Sequence, residues 1–288
     1  FTAPIFIAIS AYLAKLFPQH RRRVISLNLA SASLGGMMFP IAAEGLLYLS
    51  RASSSVSFAQ VLHLPFLLSA AILIAGSFLY RGKRAPADAA PVGETRPAAW
   101  HWRDLLLPPR ALLLAVLISV HGVADSTLHL WMARFLGSRS FPSAVLAPGV
   151  VLSGYALAYL LSRATLAALP DRVGRRAFLI LPGLIGGSIC IAGILSRNYL
   201  LTGTGYALGA LCWSIEYPAL VSTLLRQDRK RFGAAMAASG LMTGLAMFVS
   251  MNAMGVLIER LGDQQMWKVM LVPPVGFLVV GIGGLAWS

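Results

Sequence analysis

The sequence predicts an all-α membrane protein, and three observations carry that prediction. Hydrophobic residues make up 57% of the 288 and charged residues only 12%, against roughly 45–50% and about 25% in soluble domains. Apolar stretches follow one another along nearly the whole chain, each close to the ~20 residues that cross a bilayer at a rise of about 1.5 Å. The gaps between them collect the charged and turn-forming residues.

In chain order the spans read 1–17, 24–49, 60–80, 109–136, 144–168, 177–196, 199–225, 232–259 and 266–287. The first is short. It starts at Phe1 with no signal-peptide charge pattern before it, and reads as the tail of a helix that begins upstream. Pro18 to Arg23, Arg51 to Ser57 and Gln227 to Arg231 separate spans, and such short connections make antiparallel neighbours. The longest gap, 81–108, is dominated by Ala, Pro and Gly from Ala85 to Ala99 and cannot bury a core. It reads as a cytoplasmic linker with Trp100 and Trp102 at the membrane interface.

The net charge of +14 follows topology rather than nucleic-acid binding. Of the 24 lysines and arginines, only Arg51, Arg134, Arg139, Arg197, Arg260 and Lys268 fall on one side. The others, including Arg21 to Arg23, Arg163, Arg172, Arg175, Arg176 and Arg229 to Arg231, fall on the side that the positive-inside rule assigns to the cytoplasm. No basic cluster has a soluble domain beneath it, so no nucleic-acid partner is expected. The C-terminus is then cytoplasmic.

Two patterns organise the spans. Setting residue n beside n + 208 aligns Ala11 with Ala219, Leu16 with Leu224, Gln19 with Gln227, Arg21 to Arg23 with Arg229 to Arg231, Ala30-Ser31 with Ala238-Ser239, and Gly36 with Gly244. Parallel repeats of this size suit a transporter of two similar halves. The second pattern is the polar loop Leu169-Pro170-Asp171-Arg172-Val173-Gly174-Arg175-Arg176. It resembles the signature loop of the major facilitator superfamily, approximately G-x-L-A-D-R-x-G-R-R, and departs from it at Ala167 and Pro170. Leu16-Phe17-Pro18 and Trp102-Arg103-Asp104-Leu105-Leu106 add to the likeness, which covers nearly the whole chain.

The resemblance implies two pseudo-symmetric six-helix bundles, with the nine spans as helices four to twelve and the first three to four helices missing upstream of Phe1. Residues 1–80 would be the remainder of the N-terminal bundle, 81–108 the linker and 109–288 the C-terminal six-helix bundle. It also implies a conformational latch at the cytoplasmic ends of the bundles: Asp171, with Arg172, Gly174, Arg175 and Arg176, facing the helix start after Arg22 and Arg23. A carboxylate can accept there from helix N-terminal amides and from arginine. A solvated loop that only marks topology is the alternative.

Ionisable groups inside spans are the other informative class, because a mid-bilayer carboxyl costs about 2.5–3.5 kcal/mol on insertion scales and usually faces a cavity or a partner. His121 and Asp125 lie one helical turn apart in span 109–136, and Glu216 lies within span 199–225. By the resemblance these are cavity-lining helices seven and ten. His121 and Asp125 could carry a proton, or the histidine could simply bond another helix. Trp131 and Trp213, with Tyr155 and Tyr206, could wall a solute cavity or pack between helices. Glu44, near a span end, can reach the interface by snorkelling. Gly240-x-x-x-Gly244 permits close helix approach and identifies no function.

Enzymatic readings find no support. Cys190 and Cys212 lie in separate spans without metal-ligand spacing, and no nucleophile elbow or nucleotide-binding Gly-rich loop is present. No catalytic residue, metal or cofactor is expected, and without a nucleotide loop the driving energy would come from a gradient. The expectation is a monomeric multi-pass protein of a bacterial inner membrane, a secondary transporter of a small solute by alternating access, with protons as a coupling ion. A non-transporting sensor or partner-binding subunit on the same scaffold, or an inactive fragment, stays open.

Overall fold

The computed structural model describes residues 107–138, 147–168, 175–227 and 232–287, with residues 23–30 and isolated positions between 17 and 71. Nearly all of spans 1–17 and 60–80 and of the linker, and most of 24–49, therefore lie outside the described residues. Within them all regular structure is helical. Residues 23–30 form α1. The others are α2 (Pro109–Gly137), α3 (Pro148–Ala168), α4 (Arg175–Leu195), α5 (Tyr199–Trp213), α6 (Glu216–Gln227), α7 (Phe232–Leu261), α8 (Met266–Met270) and α9 (Val272–Trp287). A single 3-10 turn, Asp263–Gln265, precedes α8.

Six stretches are long and apolar enough to cross a membrane: Pro109–Gly137, Pro148–Ala168, Arg176–Leu195, Tyr199–Gln227, Gly233–Leu261 and Asp263–Trp287. They match the six spans expected after residue 108 to within a few residues and fit a multi-pass membrane protein. Their ends follow local rules. Pro109 starts α2, where its missing N–H costs nothing. Asn198 caps α5 by accepting from the Leu201 amide at 3.1 Å. Gly262, at φ 74°, ends α7.

Two spans are interrupted for a residue or two, though Ser214 and Leu271 keep near-helical backbone angles. Span 199–225 divides into α5 and α6 at Ser214-Ile215. Pro218 is the physical reason: it has no N–H to bond the Ser214 carbonyl four residues back, and its ring crowds that turn. Span 266–287 divides at Leu271, just before Pro273 and Pro274.

Two kinds of seam hold the bundle. Around α4 the backbones themselves approach. A Cβ at Gly186 would lie 2.7 Å from the Gly209 carbonyl oxygen of α5, and one at Gly281 of α9 would lie 2.8 Å from that of Ile180. Only glycine permits such packing, which is how helices associate where lipid supplies no hydrophobic drive. Between α2 and α7 the contacts are hydroxyl-mediated. Ser119 donates to the Ser239 carbonyl at 3.0 Å, and the Thr127 and Ser250 hydroxyls are 3.3 Å apart. The other face of α7 presents exposed Leu241, Leu245, Phe248 and Val249.

Side chains fill the interior in two clusters. One gathers Met132, Phe135, Tyr155, Tyr159, Tyr206, Trp213 and Phe277. The second gathers Leu114, Leu179, Leu220 and Leu224 with Ile25 and Leu29 of α1. The polar groups described next lie within or beside the first.

Candidate functional site

The middle of α2 carries His121 and Asp125, and each turns to a different partner. The His121 Nδ1 lies 2.8 Å from Glu216 Oε2, and both side chains are sealed, at 2% and 0% exposure. Phe277 packs edge-on against the imidazole at 5.3 Å, and Tyr217 is 5.9 Å away. The break in the helix puts Glu216 at the first position of α6, pointing into the bundle. A Cβ at Gly183 would lie 2.5 Å from Glu216 Oε1, so the glycine makes room for the carboxylate. Oε1 is buried and has no hydrogen-bond partner among the described residues. The imidazole and the carboxyl group are thus joined by one hydrogen bond, which leaves Glu216 Oε1 over.

Asp125 has neutral partners. The Tyr155 hydroxyl donates to its Oδ1 at 2.5 Å, and the Tyr159 hydroxyl donates to the same oxygen. Trp213 Nε1 donates to the Tyr159 hydroxyl at 2.7 Å. Tyr155 stacks with both His129, at 4.9 Å, and Tyr206, at 4.4 Å, and His129 Nδ1 lies 2.9 Å from the Tyr206 hydroxyl. Trp213 stacks on Phe277 at 4.2 Å. The aromatic groups therefore form one continuous wall from Asp125 to the sealed pair.

Arg163 closes the far side of that wall. Its guanidinium lies over the Tyr159 ring at 4.2 Å. Its Nη1 donates to the Leu29 carbonyl at 3.0 Å and to the Ser33 hydroxyl at 2.9 Å, and its Nε to the Ser214 carbonyl at 3.4 Å. That last oxygen is the one Pro218 leaves without its helical donor. Arg163, expected among the cytoplasmic loop charges, is instead buried within α3 at 8% exposure. Enclosed carbonyls and an aromatic face compensate its charge.

The structure brings together His121, Asp125, Glu216 and Trp213 around Phe277 and the tyrosines. It gives His121 and Asp125 separate partners on facing helices, Glu216 for the one and the tyrosine hydroxyls for the other. Trp131 stands apart, half-buried beside Gly255, with a buried Nε1 that has no partner among the described residues. Of the latch, Asp171, Arg172, Gly174 and Arg22 lie outside the described residues; Arg175 opens α4, and Arg176 and Arg23 are exposed.

Sequence reasoning missed Tyr159, Arg163 and His129 as members of the site. A signal was present. His121, Asp125 and His129 recur every four residues along α2, and Tyr155, Tyr159 and Arg163 do so along α3, which is the spacing of one helical face. Among the described residues no group of histidine, cysteine and acidic side chains could hold a metal ion. No protein-family model matches the chain, and no curated protein matches it.

Proposed function

We propose that this chain is a secondary transporter that moves a small solute by alternating access, with protons as the coupling ion. The observation that carries this reading is the sealed His121–Glu216 pair at mid-span. Ionisable groups inside spanning helices are costly and mark ion and substrate pathways, and this pair can exchange a proton on either partner. The interruption at Ser214-Ile215 beside it supports the reading, since transporters build midplane sites at irregular points of their helices.

In this reading the chain is a major facilitator superfamily member of a bacterial inner membrane, with residues 109–288 as its C-terminal bundle and its C-terminus in the cytoplasm. The signature-like loop before Arg176 and the six consecutive spanning stretches after residue 108 support it. Its partners are a small solute, protons and the surrounding lipid.

The protein reconstituted in vesicles that enclose a pH-sensitive dye tests it. A panel of sugars, amino acids and amines should contain a solute whose addition shifts the internal pH. Glu216→Gln should abolish that shift while solute counterflow persists. Flux indifferent to a protonophore and to Glu216→Gln would overturn proton coupling, and absence of flux for the whole panel would overturn transport.

A further inference from the structure

Asp125 is a carboxylate in the middle of a spanning helix whose direct partners are all neutral. Both tyrosine hydroxyls donate to Oδ1, which leaves Oδ2 with no hydrogen-bond partner among the described residues. Arg163, a buried cation beside this wall, is engaged elsewhere: it lies across the Tyr159 ring and donates to Leu29, Ser33 and Ser214. His129 is engaged with the Tyr206 hydroxyl. An acid in such surroundings retains an unmet demand for positive charge.

Asp125 is half-buried, and so are Gly122, Ser126 and His129, which share its face of α2 at helical spacing. The described residues therefore form a polar stripe with an acid at its centre and an aromatic wall behind it. Among the described residues no group of three acidic, histidine or cysteine side chains converges there, and a hard metal cation takes about six to eight oxygens. An ammonium group needs fewer and supplies N–H donors. Oδ2 can accept one, and the Tyr155 hydroxyl, which donates to Oδ1, keeps lone pairs for another.

We propose that Asp125 and Tyr155 form the recognition point for a protonated amine, so that the solute carries an N–H-bearing cationic head. The inference rests on the transporter reading and names its substrate class. Charge from the carboxylate and the neighbouring tyrosine and histidine rings favours a cation over a neutral solute of the same shape.

Titration calorimetry on the purified protein in detergent, with no flux involved, tests it. Phenethylammonium should bind, phenethyl alcohol should bind at least about 10-fold more weakly, and benzyltrimethylammonium, which has charge and no N–H donor, should fall between them. Asp125→Asn should abolish binding of phenethylammonium and Asp125→Glu should keep part of it, with unfolding transitions confirming that both variants are folded. Equal binding of the alcohol, equal binding of the quaternary ion, unchanged binding by the folded Asn variant, or no binding of any probe would each overturn the assignment. Failure here with solute flux intact removes only the amine, whereas binding without flux removes the transporter.

Discussion

Asp125 and Glu216 are both membrane-embedded carboxylates, yet their surroundings differ in kind. Glu216 is shut from solvent and paired with an equally buried histidine. Asp125 is half open and held by hydroxyls that can donate to it but cannot neutralise it. In the proposed transporter the sealed site would serve the proton and the half-open one the solute, with the aromatic groups Tyr155, Tyr159 and Trp213 lying between them.

The largest effect should come from breaking the sealed site. Glu216→Ala leaves His121 enclosed without its partner, and loss of one member of a buried pair costs on the order of 3–5 kcal/mol. Chemical unfolding in detergent measures it, and Glu216→Gln, which keeps a group able to bond the imidazole, should recover much of the loss. Tyr159→Phe comes next. It removes the acceptor of Trp213 Nε1 and one donor to Asp125, at about 1–3 kcal/mol by the same measurement. Asp125→Asn should be the mildest, below about 1 kcal/mol, because an amide oxygen still accepts from both hydroxyls. A loss at Asp125 as large as that at Glu216 would erase the distinction between the sites.

The spans were legible because membrane helices write their length directly into runs of apolar residues, and the six after residue 108 agree with those runs. The break at Ser214 was less so. Pro218 was visible, but many spanning helices absorb a proline by bending, and what settles the outcome is a donor on another helix. Partner choice was the least legible. His121 and Glu216 are 95 residues apart, so the four-residue spacing to Asp125 was the only relation the chain could display. Arg163 was misread for a related reason. An arginine about 8 Å from the end of a helix looks like a topology signal until the carbonyls around it are seen.

The orphaned Ser214 carbonyl has a mechanical consequence. A proline joint normally flexes freely because water or a nearby hydroxyl can follow the exposed oxygen through any angle. Here the oxygen is followed by a guanidinium whose other nitrogen is anchored to Leu29 and Ser33. A change of angle between α5 and α6 must drag that anchor or abandon the bond. Arg163 thus acts as a tie rod, making the bend of one membrane-spanning stretch and the position of α1, more than a hundred residues earlier in the chain, a single mechanical coordinate.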